Sequence, residues 1–355
     1  MSKILVINPG STSTKLTVFQ DGSPYLAHTI SHSAEECAAF PSILDQAPFR
    51  LQMILDTLSS SGFSMKDFTG IIGIGGLLKS VDSGVYAVND AMLDDLHSRK
   101  YGEHAANLGA VLVHALAEKY QIPGCIADPI TVDEMQDIAR VSGHPLLPRY
   151  GRTHTLNHKR VAMSAAVQLG KPYEDCRLIV AHMGGGVSIG AHAGGRIIDS
   201  TTSRGEGPFS MDRSGQLNSW ELAKLCFSGK YGKDEVLKML NGSGGVYAHL
   251  GTKDFREVER RMMEGDAAAR DVFYGLAYQT AKTIGSMAVV LEGRIDAIVL
   301  TGGIMYSETF SKELCRQIQF LGKLLLSPGE EEMESLAYYM ELVLSGQITP
   351  KTYPS

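Results

Sequence analysis

The sequence predicts an α/β protein of two similar domains that hold an anionic ligand across a cleft, and three observations carry that expectation. Residues 4–22, ILVINPGSTSTKLTVFQDG, read as strand, polar turn and strand, closed by Asp21-Gly22. Residues 178–195, LIVAHMGGGVSIGAHAGG, repeat the plan about half a chain later, with a turn of Gly184, Gly185 and Gly186 and a closing Gly194-Gly195. Between and after these hairpins, strand-like runs alternate with helical stripes.

The tip of the first hairpin carries Asn8, Gly10, the hydroxyls of Ser11, Thr12, Ser13 and Thr14, and Lys15, all at the end of an apolar strand. Backbone and side-chain donors can converge there on an anion, with phosphate the first candidate. It is not the P-loop, because Gly10 stands too close to Lys15 and no helical pattern follows. On these residues alone an ordinary polar hairpin turn is equally compatible.

Taken in order, residues 25–30 can add a strand, and 40–60 have helical spacing at Ile43, Phe49, Leu51, Ile54, Leu55 and Leu58. The run 70–74 is a strand ending in Gly75-Gly76; 85–88 is a short strand and 90–99 a helix. Residues 107–120 form a helix with a stripe of Leu108, Val111, Leu112, Ala115 and Leu116. It leads to a strand over 124–127 whose end carries Asp128, and strand ends are where α/β sheets bind ligands. The run HPLLPRYGR, within 144–152, marks a boundary, so that 1–150 make the first domain and 151–330 the second. Beyond it, 157–169 are a helix, 199–215 a polar, glycine-rich loop, and 220–227 and 234–240 short helices. A long helix over 266–291 precedes a strand over 297–300 that ends in Thr301-Gly302-Gly303, and 331–344 form a last helix.

At 355 residues the chain can bury two separate cores, and 44% hydrophobic with 20% charged residues is ordinary for a globular protein. A net charge of -6 argues against nucleic-acid and acidic-membrane partners. The five cysteines are scattered and form no CxxC pair, as expected of free thiols in a reducing cytosol. The N-terminus lacks the pattern of a signal peptide and no run approaches the roughly 18 apolar residues of a membrane span, so the expected location is the cytoplasm.

On these residues the chain resembles the acetate and butyrate kinases of the actin, sugar-kinase and Hsp70 ATPase superfamily. NPGSTSTK is similar to the family's Asn-x-Gly-Ser-x-Ser-x-Lys signature; with IADPITVDEM it stands nearest the butyrate branch, and the likeness covers nearly the whole chain. The resemblance implies two duplicated ribonuclease-H-like (actin-like ATPase) domains with a nucleotide cleft between them, and residues 331–355 returning to the first. It also implies an ATP-dependent carboxylate kinase that reversibly forms an acyl phosphate from butyrate or a similar short or branched fatty acid. ATP/ADP and Mg2+ come with that activity, as does a homo-oligomer, dimer or larger.

Phosphoryl transfer to a carboxylate needs alignment and charge neutralisation more than covalent help. The resemblance sets Arg213, in FSMDRSG, on the transferring phosphoryl group, where a planar fork of donors suits better than an ammonium. It sets His154, in THTLNHKR, on the transition state, His182 ahead of the phosphate loop, and Asp128 where it orients the metal or an active-site arginine. Gly184, Gly185 and Gly186, with Ser11, Ser13 and Lys15, would hold phosphates; Thr301, Gly302, Gly303 and Asp254 would meet the rest of the nucleotide. Asn8 and Glu330 match positions that help to hold Mg2+, with Glu332 competing for the place of Glu330, and Asn8, His104 and Asn107 fall near the acyl substrate.

Other readings of the same residues stay open. Arg213 suits a solvated loop, and His154 with His158 are spaced like a metal pair for which no third ligand is evident. His158 also suits a core histidine, Glu330 to Glu332 a helix start favoured by the dipole, and His104 with Asn107 a helix cap. Two departures from the family pattern stand out. Gly185 replaces the asparagine of acetate kinases, as in the butyrate branch, and Ile74, in GIGG, replaces that branch's arginine. The second keeps alive an alternative, a nucleotide-binding protein of the same fold with weakened catalysis. A sugar kinase or Hsp70-like ATPase is the third, and a hydroxyl acceptor would call for an aspartate base that the motifs do not assign.

Overall fold

The computed structural model describes residues 2–202 and 205–355, so residues 203 and 204 of the expected 199–215 loop lie outside it. Its strands are β1 (Lys3–Pro9), β2 (Ser13–Gln20), β3 (Ser23–Ser31), β4 (Gly70–Ile74), β5 (Val85–Ala87) and β6 (Gly124–Ala127). They continue as β7 (Leu178–Met183), β8 (Val187–Ala193), β9 (Arg196–Ser200), β10 (Ala297–Gly302), β11 (Leu324–Pro328) and β12 (Lys351–Thr352).

The chain divides into two compact units, one of Met1–Val132 with Glu331–Ser355 and one of Asp133–Glu330. The first holds a sheet in the order β12-β5-β6-β4-β1-β2-β3, the second a sheet in the order β11-β10-β7-β8-β9. Within them β3-β2-β1-β4-β6 and β9-β8-β7-β10-β11 repeat one plan: an antiparallel three-strand meander whose first strand pairs parallel with a fourth strand, and that one with a fifth. The likeness reaches details. β2 turns into β3 through Asp21-Gly22 and β8 into β9 through Gly194-Gly195, all four at positive φ as a two-residue hairpin turn of primed type requires. Each meander also slips register three residues before that turn, at Val18/Phe19 and at Ala191/His192.

β1 and β7 are the strands about which each unit is built. Ile4 to Ile7 and Leu178 to Met183 are buried on both faces, which is why they read as continuous apolar runs and not as alternation. Helix Asn107–Tyr120 covers the first sheet with Leu108, Leu112 and Leu116, and helix Ala267–Val290 covers the second with Phe273, Leu276 and Ile284. No helix among the described residues is long and apolar enough to cross a membrane, and the five cysteines carry free thiols.

Several expectations move. The helix expected over 40–60 begins only at Ala47, after a 3-10 turn, because Pro48 fits the first helical turn and not an interior one. β9 occupies the start of the expected 199–215 loop. β11, a half-buried edge strand without alternation, is unforeseen. The segment 133–150, expected in the first domain, is bonded into the second unit. The Gln136 N–H donates to the Ile198 carbonyl (2.9 Å), Glu134 accepts from the Ile197 N–H (2.9 Å), and Arg149 donates to the Ser200 carbonyl (2.9 Å). The units therefore part at Val132, and the Pro- and Gly-rich run is a loop of the second.

Helix Asn107–Tyr120 lies so close to β4 that a methyl group on Gly109 would strike the Ile74 carbonyl. Gly109→Ala is therefore expected to lower stability by about 1–3 kcal/mol through overpacking, despite the roughly 1 kcal/mol that alanine adds in helix propensity. Urea unfolding measures this, and an unchanged or raised midpoint would contradict the close approach.

Candidate active site

In the second unit β7 runs into the turn Gly184 to Gly186, closed by a 2.9 Å bond from the Gly184 N–H to the Gly186 carbonyl. Glycine is needed because other groups crowd the turn. A side chain on Gly186 would meet the Arg213 guanidinium at 2.6 Å and His154 Cε1 at 3.2 Å; one on Gly184 would meet Glu330 Oε1 at 2.9 Å and His182 Nε2 at 3.2 Å. Gly185 faces open space. Arg213, His154, His182 and Glu330 thus gather on one glycine turn.

The histidines come from β7 and from helix Thr155–Leu169 with its preceding residue. His154 and His182 stack with ring centroids 4.0 Å apart. His182 Nδ1 lies 2.9 Å from Asn157 Oδ1, its Nε2 lies 3.2 Å from Glu330 Oε1, and His154 Nδ1 lies 2.8 Å from Ser188 Oγ. Behind them His158 is fully buried, with Nε2 3.0 Å from Ser188 Oγ and Nδ1 3.3 Å from His192 Nε2, so it is a core histidine. Burial first, then the charges of His182 and Arg213, hold His154 well below the ordinary imidazole value. Burial and His182 push His158 down to about 3, and burial with His158 and Lys159 lowers His192.

Beside the turn opens a cavity of about 970 Å³, walled by Gly184, Gly185, Asp254, Gly303, Tyr306 and Glu330 among others. That is the size of a small-molecule site. Four of the residues proposed for the nucleotide, Gly184, Gly185, Asp254 and Gly303, and one of the two proposed for the metal, Glu330, therefore share a wall. Thr301 does not reach it: it is fully buried and its hydroxyl donates to the Gly329 carbonyl (3.1 Å). Gly302 packs against the Met183 carbonyl. Neither residue lines the cavity. Asp254 caps helix Phe255–Met263 and grips Arg256 at 2.9 and 2.7 Å, bonds that hold its carboxyl below the usual range.

In the first unit the β1/β2 register sets Asn8 opposite Lys15. The Asn8 amide donates to Glu332 Oε2 (2.7 Å), so of the two competing carboxylates Glu332 stands at Asn8 while Glu330 stands at His182. Ser11 and Lys15 are exposed, and Lys15 has no ion-pair partner among the described residues. Asp128, buried at the end of β6, accepts from Ser83 Oγ (2.7 Å), the Gly84 N–H (2.8 Å) and the Tyr339 hydroxyl (2.9 Å). Asn107, expected near the acyl substrate, has its amide engaged within the first unit. It is fully buried, accepts from the Leu77 N–H (2.8 Å) and donates to the Gly102 carbonyl (3.1 Å), and so ties two loops together. His104 Nδ1 accepts from the Ala106 N–H ahead of the same helix (3.2 Å).

Magnesium takes few protein oxygens and completes its shell from phosphates and water. One carboxylate in the cavity wall, or Asn8 with Glu332, fits that habit. Among the described residues no three His, Cys, Asp or Glu side chains converge as a zinc site requires.

Residues 140–334 match the model of the acetokinase family. Butyrate kinase 2 of Clostridium acetobutylicum is 46% identical over 352 residues, 99% of either chain. The chain belongs to the acetokinase family. A probable butyrate kinase of Listeria monocytogenes is 42% identical over 351 residues, again 99% of each. Among solved structures, an acetate kinase of Porphyromonas gingivalis superposes with a TM-score of 0.78 at 20% identity, over 97% of this chain and 100% of its own. One from Entamoeba histolytica gives 0.75 at 16%, over 96% and 99%. The fold is thus that of the acetate kinases, the actin-like ATPase fold expected above. As an acetokinase the protein is a phosphotransferase with a carboxyl acceptor and uses a nucleotide.

Sequence reasoning missed several residues that shape this acetokinase's site. Arg50, 1% exposed, donates from Nη1 to the carbonyls of Gly10 (2.8 Å) and Ser13 (3.1 Å) and to Thr14 Oγ1 (3.2 Å), and from Nη2 to the Ser11 carbonyl (3.0 Å). These bonds pin the carbonyls of the turn against one buried guanidinium. The signal was there: Arg50 shares one helical stripe with Ile54 and Leu58, an unusual place for a charge. Ser188 and His192 gave none, since alternation along β8 does not tell which polar residue faces a histidine helix.

Arg50→Lys retains the charge but brings three donors on one nitrogen in place of a planar fork that reaches five acceptors, the carbonyls of Gly10, Ser11 and Ser13, Thr14 Oγ1 and Gln46 Oε1. We expect a loss of about 2 kcal/mol in urea unfolding, from hydrogen bonds to a charged group, and about a tenfold fall in kcat, or 1.4 kcal/mol; steady-state turnover checks the latter. A second expectation concerns pH. In the unfolded chain His154, His158 and His192 each bind a proton near pH 6.5, and in the native protein they resist it, with the His182 ring, the Arg213 guanidinium and the Lys159 ammonium facing them. Unfolding therefore takes up protons below about pH 6.5, so stability is fully present above that value and falls as pH drops, with a slope of up to about 4 kcal/mol per pH unit near pH 5. Urea midpoints that stay level between pH 7 and 5 would contradict the buried, neutral state.

Proposed function

We propose that this acetokinase transfers the γ-phosphoryl group of ATP to the carboxylate of butyrate, or of a similar short or branched fatty acid, reversibly. The observation that carries the choice of acid is the full-length likeness to a butyrate kinase at 46% identity, beside which the acetate kinase structures stand at 16 and 20%. The same reading takes the protein to work with Mg2+, in the cytoplasm, as a homodimer or larger symmetric assembly.

A carboxylic acid titrating near 4 is already ionised at pH 7, about the value of a glutamate side chain. The acceptor needs no base, which agrees with an Asp128 carboxylate committed to three donors of its own unit. A carboxylate oxygen attacks the γ-phosphorus in line, the bond to the bridging oxygen breaks, and ADP leaves with its electron pair. The cavity beside Gly184 and Gly185 takes the nucleotide, and Arg213 and His154, next to the same turn, donate to the oxygens of the moving phosphoryl group. Ser11, Ser13 and Lys15 offer further donors to anionic groups. Mg2+, on Glu330 or on Asn8 with Glu332, would neutralise phosphate charge and orient the chain of phosphates.

Ile74 supports a second reading. It ends β4 beside Ala127, next to Asp128, and brings no donor to that strand end. On that reading the chain binds nucleotide and transfers its phosphoryl group slowly.

One assay separates them: ADP release and hydroxamate formation with Mg-ATP and acetate, propionate, butyrate or isobutyrate. The expected result is a kcat/KM for butyrate or isobutyrate at least about tenfold above that for acetate, given about 1–3 kcal/mol per methylene in an apolar pocket. Arg213→Lys should lower kcat by roughly a hundredfold, the scale of one lost transition-state donor. ATP binding without carboxylate-dependent ADP release would favour the second reading.

A further inference from the structure

The role given to His154 uses one ring, yet that ring ends a longer array. Its Nδ1 lies 2.8 Å from Ser188 Oγ; Ser188 Oγ lies 3.0 Å from His158 Nε2; His158 Nδ1 lies 3.3 Å from His192 Nε2; and His192 Nδ1 lies 2.8 Å from the Tyr173 hydroxyl. Ser188, His158 and His192 are fully buried and Tyr173 nearly so. His154 Nε2, at the far end, makes no hydrogen bond with a described residue, and its neighbour Cε1 stands beside Gly186, where the Arg213 guanidinium also lies.

Proton counting makes the array directional. A neutral imidazole has one N–H and one acceptor nitrogen, so a ring that donates at one side must accept at the other. Ser188 Oγ already accepts from the His154 backbone N–H (3.4 Å), and its only other partners among the described residues are the two rings. Its single hydrogen therefore goes to one ring and it accepts from the other. Choosing the tautomer of any ring sets all of them. The inner end makes the choice: a phenol O–H is a better donor than acceptor towards an imidazole, the more so with the Lys159 ammonium 5.6 Å from the Tyr173 ring centre.

We propose that Tyr173, His192, His158 and Ser188 form a one-way hydrogen-bond chain that fixes the tautomer of His154, so that its proton sits on Nε2 and is offered to a phosphoryl oxygen. Tyr173 donates to His192 Nδ1, His192 Nε2–H to His158 Nδ1, His158 Nε2–H to Ser188 Oγ, and Ser188 O–H to His154 Nδ1. The neutral state of the three rings, forced by burial, keeps the chain intact. Tyr173, His192, His158 and Ser188 are positioning residues: they touch no substrate and act through His154. The benefit to catalysis rests on the carboxylate-kinase reading above, whereas the tautomer itself does not.

The test is a long-range ¹H–¹⁵N correlation spectrum of the full chain labelled with ¹⁵N-histidine at pH 7.5, with the His154 signals assigned through His154→Gln. Wild-type protein should show His154 as the Nε2–H tautomer. In Tyr173→Phe, which keeps the ring and loses the donor, His154 should become a mixture of tautomers. Its kcat should fall roughly tenfold, with KM for ATP changed less than about twofold. Ser188→Ala cuts the chain at its outer junction and should give the same mixture, which covers a Tyr173→Phe protein that does not fold. An Nδ1–H tautomer in the wild type, or a tautomer unmoved in a folded Tyr173→Phe or Ser188→Ala protein, would overturn the chain whatever the turnover. If His154→Gln instead keeps full turnover while the tautomers behave as stated, the chain stands and the catalytic use of His154 fails.

Discussion

The donors of this site exist because two strands are buried on both faces. Along Ile4 to Ile7 of β1 and Leu178 to Ala181 of β7 a ladder flanks the backbone on either side, and no polar side chain interrupts the run. Only where these strands turn do backbone amides leave the ladder, and there both turns are small and polar. A buried parallel strand thus creates an anion-binding end as a by-product of its own satisfaction, and doubling the fold doubles that end. What distinguishes the two units is what crowds the turn. In the first it is a buried guanidinium gripping carbonyls from behind; in the second it is a guanidinium and two imidazoles, admitted by missing side chains.

Much of this was legible in the sequence because it rests on local pattern. The two hairpins, the helices over 107–120 and 266–291, and the strand that ends at Asp128 all announce themselves by periodicity and by glycine placement. What stayed hidden depends on partners distant in sequence. β11 is an edge strand whose half-buried residues alternate with nothing, and β9 is five residues long. Asn107 reads as polar and available, yet tertiary structure spends both ends of its amide on loops at 77 and 102. Glu330 and Glu332 are two residues apart in a run of three glutamates, and no pattern could tell that one would stand by His182 and the other by Asn8.

The polar interior of the second unit has a cost that the fold meets in an orderly way. Buried imidazoles lose their charged state, and neutral rings need a partner at each nitrogen. His158 and His192 find both in one another, in Ser188 and in Tyr173, while His154 is partnered at Nδ1 alone among the described residues. Lys159, the buried cation beside them, is balanced by Glu134 at 2.6 Å and bonded to the Gly195 carbonyl. That pairing also fastens the segment after Val132 to the second sheet, so the residues that mark the division of the chain and those that order the histidines belong to one network.

Helix Glu332–Leu344, the final helix, packs against β1 and β4, where Met340 and Leu344 lie over Gly70, and Tyr353 is buried near Asp95. The first unit is therefore interrupted in the gene product by the whole of the second. On the ribosome its sheet emerges early and waits while roughly 200 residues are added, about 10–40 s at 5–20 residues per second. Throughout that delay the apolar surface of β1 and β4 lacks its cover. The second unit, continuous in sequence, can close first, so the order of birth and the order of completion are reversed in this protein.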